Sequence, residues 1–506
     1  MIGILAQASP VATGEPVLGT GGLIFIGIYC CLLLLIGWLG HRAKKEDTLA
    51  DFYLGGRDLG FAVLLLTLYA TQYSGNTLMG FAGDAYRNGF NTLSIVMGMM
   101  SIIGAYFVYA PKLYRLSHAR GYITMGDYLT DRFRLPSLTV CAVILGIIAL
   151  CNYILTNMLV LGKLVVWLSG GGISFSTGVI VLAIIMVAYE FLGGMRSVAW
   201  TDMLQGLILL LGVTLIFGAI YYHNDGVAGM IAQLHEHKPE ALVPPTAAEN
   251  REWWSRIVLF FFGISMYPHA IQRIYSAKSE QALKRSLQFM VFLPLVTTLL
   301  MVLLGIIGAG KFPGLDKTGS DRITLLMLQD LAQSGSSGLS QALVVLFVAA
   351  IIAATMSTID SALLAISSLI TKDIYQPLRP ALSQNQLTAF GKGSSIVLMA
   401  VTVGFAIWLQ DATTIMALIK LKLELLCQIA PAFFLGLHWR NLRGGAVLAG
   451  MLTGTATAVL MKQFDILADS GISPGLYGLA LNVIVLLIVQ AVLPGNKALR
   501  TGEAVH

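Results

Sequence analysis

The sequence predicts an all-α polytopic membrane protein of about thirteen transmembrane helices, a leading helix followed by two inverted five-helix halves and two accessory helices. Three observations predict it. The 506-residue chain is 56% hydrophobic and 11% charged, with a mean hydropathy of +0.78, whereas roughly a quarter of the residues of a soluble domain are charged. Lys and Arg crowd into alternate loops, and two of the apolar segments are broken by polar and helix-terminating residues at corresponding places.

With spans of about 20 residues as the ruler, the apolar segments fall at 20–40, 60–84, 91–111, 138–168, 174–192, 203–222, 255–275, 288–309, 339–370, 391–410, 413–436, 446–463 and 476–493. No polar stretch is long enough for a soluble domain, so 1–506 reads as one membrane domain. Residues 1–19 contain no Lys or Arg and read as a short exposed tail, not a secretory signal. Cys30, Cys31, Cys141, Cys151 and Cys427 lie in apolar segments without metal-ligand spacing, so neither disulfides nor zinc are expected.

The first segment reads as peripheral and ends in His41-Arg42-Ala43-Lys44-Lys45. Arg42, Lys44, Lys45 and Arg57 open the basic set of loops. Lys112, Arg115, Arg120, Arg132 and Arg134 follow, then Arg273, Lys278, Lys284 and Arg285, then Arg440 and Arg443. By the positive-inside rule these loops are cytoplasmic, which puts the N-terminus outside and the C-terminus inside the plasma membrane. The net charge of +6 therefore reports topology, and no nucleic-acid partner is expected. The chain has no Walker-type loop, GxSxG elbow or HExxH pair, so it is not read as an enzyme.

Gly55-Gly56-Arg57 reads as a glycine-rich re-entry into the bilayer and a poor match to a phosphate cradle. The next segment breaks its pattern at Ala70-Thr71-Gln72-Tyr73-Ser74-Gly75-Asn76-Thr77. A packing kink at Ser74-Gly75 explains the glycine but gives no reason for Gln72 and Asn76. A discontinuous helix exposing backbone groups near the midplane explains all of them. The second interruption is Gly263-Ile264-Ser265-Met266-Tyr267-Pro268-His269, where proline removes a backbone donor. Matched breaks divide the chain into repeats at 60–222 and 255–436, with accessory helices at 446–493. Gln72, Ser74, Thr77, Tyr267 and His269 are expected to border a substrate cavity where the breaks meet.

Gly193 to Gln205 reads as a short turn into a helix. Ser197 or Thr201 would cap that helix with Asp202 favouring its N-terminus, or Asp202 would serve as a gate; spacing does not choose. The segment Ala349 to Ser361 places Thr355, Ser357, Thr358, Asp360 and Ser361 in an apolar helix, where polar groups are expensive unless they face protein, water or an ion. Ala354 lies one turn before Ser357 and Thr358, so neutral oxygens crowd one face, as a hard monovalent cation requires. The ordinary alternative is that the hydroxyls bond back to the preceding turn.

The chain resembles the sodium:solute symporters, which include bacterial proline and pantothenate permeases and sodium-sugar transporters. The resemblance rests on Gly55-Gly56-Arg57, on Gly193-Gly194 to Gln205, and on Ile271-Gln272-Arg273 with Ala277-Lys278-Ser279. It extends through Ala354 to Ser361 and Gln428 to Trp439. It implies a LeuT-like core, alternating access and a co-transported sodium ion held by the carbonyls of Ala70, Tyr73 and Ala354 and the hydroxyls of Ser357 and Thr358.

Two departures bear on substrate. The proline permeases carry an acidic residue where this chain has Gln72, and some sialic-acid members use an arginine in the third core helix, where this chain has only Lys163 near the outer end. Lys420, Lys422 and Glu424, unusual in the tenth core helix, read as a mutually paired, water-facing segment. Tyr267-Pro268-His269 is most similar to the pantothenate branch. The expected function is thus sodium-coupled symport of a small polar metabolite, a carboxylate such as pantothenate or a monocarboxylate, with a proline-like neutral amino acid as the alternative. A proton-coupled carrier using Asp202 and Asp360 is a further rival, and a membrane sensor a more distant one. The implied partners are the solute, sodium and the lipid bilayer.

Overall fold

The computed structural model describes residues 20–43, 46, 48–334, 338–410 and 414–492. The expected tail at 1–19 and the basic pair Lys44 and Lys45 lie outside them. Helix occupies every segment named from the sequence. The spans used below are α1 (Thr20–Arg42), α2 (Phe61–Gln72), α3 (Phe81–Asn88), α4 (Ser94–Arg120), α5 (Pro136–Leu168), α6 (Phe175–His223), α7 (Ala247–Gly263), α8 (Pro268–Ser276), α9 (Thr298–Lys311), α10 (Gly338–Leu369), α11 (Gln384–Trp408), α12 (Ile415–Leu426), α13 (Gly444–Gln463) and α14 (Pro474–Val492). Among the described residues, 9 helices are long and apolar enough to cross a membrane alone, or 10 if the bent pair formed by α7 and α8 counts as one span. The difference from thirteen arises where a span is built of short pieces, as at α2 and α3.

Burial orders these helices from centre to rim. The apolar window of the segment containing α10 is 78% buried, against 22% for those of α1 and α14. A helix that is hydrophobic all round and enclosed by protein belongs to the core. The leading helix is peripheral, as its unbroken lipid-like sequence suggests, and it leans on α6.

Two glycine turns set how the core is entered. Gly55, Gly56 and Arg57 have φ of 61°, 70° and 56°, a left-handed run that two glycines make tolerable. The Arg57 guanidinium then donates to the carbonyls of Ser117 and Tyr122, each at 2.8 Å, so the turn is clamped to the end of α4. Gly194, φ 56°, bends α6 where its two spans join, and a Cβ there would lie 2.5 Å from the Phe52 carbonyl oxygen. The segment expected at 91–111 runs on as helix to Arg120, and a capped helix, Met125–Phe133, follows it.

Candidate functional site

Helix α2 stops at Gln72, and Tyr73 is extended, with φ −103° and ψ 97°. The chain resumes through a π-helical turn, Asn76–Gly80, before α3. The Ser74 hydroxyl accepts from the Asn76 N–H at 3.2 Å, supplying a side-chain partner where the helical ladder is interrupted. The Thr71 carbonyl, freed by the break, accepts from the Tyr153 hydroxyl at 3.1 Å. Ala70 is fully buried and Tyr73 is 1% exposed, so their carbonyls sit inside protein.

The second break has a different construction. Helix α7 ends at Gly263, a 3-10 turn spans Ile264–Met266, and Pro268 begins α8, with a 57° bend between the two arms. Proline suits the first helical position because its missing N–H would be unbonded there anyway. The Ser265 carbonyl freed at this turn accepts from the Tyr109 hydroxyl.

Helix α10 runs unbroken past the first break. A Cβ on Gly75 would meet Thr355 Oγ1 at 2.6 Å and Val160 Cγ1 at 2.8 Å, so the broken segment touches α10 beside Ala354. Thr358 donates to the Ala354 carbonyl at 2.9 Å, which is the ordinary back-bond. Ser357 instead donates across to Asp202 Oδ1 at 2.6 Å.

Asp202 is therefore not a helix cap. It lies within α6, fully buried, and its Oδ2 accepts from Thr67 and from Arg273 at 3.2 Å. Thr201 bonds back to the Ser197 carbonyl at 3.1 Å, and Ser197 donates to the Gly37 carbonyl at 3.0 Å, so neither caps a helix start. Arg273 also donates to the Ser361 hydroxyl and to the His269 carbonyl at 3.2 Å. One ion pair thus ties α2, α6, α8 and α10 together. Asp360, fully buried, stands beside Ser361 in this cluster.

On the other side of the breaks, Gln72 donates to the Tyr106 hydroxyl at 3.2 Å, and Asn76 to Thr156 at 3.0 Å. Thr77 is 1% exposed in the π turn. Tyr267 stacks on Tyr153 with ring centroids 5.0 Å apart and planes 11° from parallel. His269 stacks on Tyr153 at 5.7 Å. Tyr153 consequently joins the two breaks, bonding one through its hydroxyl and covering residues of the other with its ring. It was missed in the sequence, although Asn152-Tyr153 and Thr156-Asn157 are polar intrusions of the kind that flagged α10.

The pairing expected of Lys420, Lys422 and Glu424 is corrected. Lys420 pairs with Glu252 at 2.9 Å, while Lys422 and Glu424 are 1% and 3% exposed. Helical geometry explains it: residues two apart point to different faces. Glu424 packs against Gly475. Lys422 turns inward and holds its Nζ 3.8 Å from the Tyr153 ring centroid.

Two discontinuous helices packed against a continuous polar one define the core of a secondary transporter. The chain matches the Sodium:solute symporter family over residues 52–454 and belongs to it. It is 29% identical to the osmoregulated proline transporter OpuE of Bacillus subtilis, covering 93% of this chain and 94% of that one. It is 28% identical to a sodium/proline symporter of Staphylococcus aureus, covering 93% and 91%. A solved Na+-coupled sialic acid symporter in its outward-open state superposes with a TM-score of 0.77 at 20% identity, covering 95% of this chain and 99% of that one. The LeuT-like fold expected from the sequence is the fold observed.

Proposed function

We propose that the protein imports a small polar organic solute across the plasma membrane together with sodium, by alternating access. The observation that carries the reading is the contact of the first break with α10 at Gly75 and Thr355, which gathers neutral oxygens from both. Sodium is assigned to the carbonyls of Ala70, Tyr73 and Ala354 and the hydroxyls of Ser357 and Thr358. Those hydroxyls donate to Asp202 and to Ala354 and keep lone pairs for a cation.

Gln72, Ser74, Thr77, Tyr267 and His269 are assigned to the solute cavity, Asp202 and Asp360 to gating and coupling, and 60–222 and 255–436 to the two repeats. The N-terminus is placed outside, following the basic loops without Arg273, which is buried in the core. A carboxylate-bearing solute is favoured; the names of the relatives support proline, which also carries a carboxylate. Asp202, held by three side-chain donors, suits a fixed anion better than the cycling acid of a proton-coupled carrier.

The driving force fixes the test. One charge falling through 100 mV supplies about 2.3 kcal/mol, enough to hold a neutral or zwitterionic solute roughly fortyfold concentrated. A monoanion moving with a single sodium gains nothing from the potential. Proteoliposomes containing the full chain should accumulate labelled L-proline, pyruvate or pantothenate only under an inward sodium gradient. Accumulation driven by a proton gradient in sodium-free buffer would transfer the assignment to the proton-coupled reading.

A further inference from the structure

Lys422 is 1% exposed, and its Nζ has no hydrogen-bond partner among the described residues. A charged ammonium there would bury three donors without an acceptor, among the costliest arrangements a protein interior can hold. The ring faces of Tyr153 at 3.8 Å and Tyr267 at 6.0 Å return only a fraction of that cost. An acceptor that arrives from outside the chain would return far more.

The position of Lys422 says what the acceptor is. Helix α12 packs against the second break: a Cβ on Gly263 would lie 3.0 Å from the Leu423 carbonyl oxygen. Tyr153, beneath the ammonium, bonds the Thr71 carbonyl at the first break. The cation thus stands where both breaks converge, on the aromatic wall formed with Tyr267 and His269. The Asp202 carboxylate is already engaged by Arg273 at 3.2 Å. The arrangement offers a solute one cationic anchor and apolar ring faces on which the rest of a small molecule can lie.

We infer that Lys422 is a solute-binding residue, its ammonium acting as the counter-ion of a carboxylate on the transported molecule. This rests on the symport reading above and names the group on the solute that the site recognises. The sodium ligands remain a separate set, so the loss of Lys422 acts on the solute and not on the ion.

The experiment is sodium-driven uptake in proteoliposomes of the full chain, with L-proline, pyruvate, pantothenate and the uncharged glucose as labelled probes. The carboxamide of each acid serves as competitor. The wild-type protein is expected to take up at least one acid and to reject its carboxamide. Lys422→Gln and Lys422→Met should weaken the apparent affinity for that acid about thirtyfold or more and erase the preference over the carboxamide, with apparent sodium affinity unchanged. Lys422→Arg, which keeps the charge, should retain the preference.

Equal recognition of acid and carboxamide by the wild-type protein overturns the inference without recourse to any variant. So does sodium-driven uptake of glucose alone, which leaves the symport reading standing. Uptake that survives in Lys422→Gln but fails in Lys422→Arg also overturns it, by marking Lys422 as a neutral group. Absence of sodium-dependent uptake for every probe removes the symport reading and this inference with it.

Discussion

Arg273 and Lys422 are both buried cations within the same transporter core, and they are treated in opposite ways. Arg273, fully buried, meets a carboxylate, a carbonyl and two hydroxyls drawn from three helices and from its own. Lys422, 1% exposed, meets two ring faces. The planar five-donor guanidinium suits fixed, directional recognition, and the compact ammonium suits a single exchangeable partner. Several fixed partners mark a residue that holds the core together, whereas the lack of an acceptor marks one that waits for something to arrive.

Stability separates the two residues most strongly. Arg273→Met leaves Asp202 buried without its cation, a loss on the order of 3–5 kcal/mol. It should lower the thermal midpoint of detergent-purified protein severely. Adding Asp202→Asn should recover most of the loss, and equal midpoints for the single and double variants would deny the pair its structural role. Lys422→Met should behave with the opposite sign. Exchanging an uncompensated buried charge for a methionine of similar length should leave the midpoint unchanged or raise it by about 1–4 kcal/mol equivalent, while uptake collapses. A midpoint that falls as far as that of Arg273→Met would erase the distinction.

Smaller effects test the proposed sodium ligands. Ser357→Ala and Thr358→Ala each remove one hydroxyl, for which about 1.4 kcal/mol, or tenfold in apparent sodium affinity, is expected with normal protein abundance. Sodium titrations of uptake measure this directly, and unchanged affinity in both variants would sink the assignment. The smallest effect belongs to Lys420→Gln. Its pair with Glu252 is 31% and 36% exposed, so the change in stability should stay within about 0.5 kcal/mol, and solute preference should not move.

The sequence displays the scaffold more fully than the site. Bilayer thickness forces apolar runs, and midplane polar residues are too costly to be accidental, so α10 and both breaks stand out unaided. Side-chain direction is harder to read. Asp202 follows possible capping residues, and only the approach of Thr67, Ser357 and Arg273 from other helices shows it to be the centre of a buried network. Lys420 and Lys422 differ by two positions, and the facing of α12 alone sends one to Glu252 and the other to Tyr153. Tyr153 was overlooked because a tyrosine in an apolar helix is usual; its hydroxyl gains meaning only from the Thr71 carbonyl across the gap.

Gly75 acts as a spacer gauge. Its missing side chain lets the broken segment lie where a Cβ would already be 2.6 Å from Thr355 Oγ1, a separation that must be relieved by movement of one wall. Oxygens on the two walls are proposed to enclose one ion, so the glycine sets the bore of that enclosure, and cavity size is one of the ways in which carbonyl cages rank alkali cations. Gly75→Ala should widen the gap and shift coupling from the smaller towards the larger alkali ion. Uptake measured in lithium, sodium and potassium would show the shift, and an unaltered order would mean that the ion's enclosure is set elsewhere.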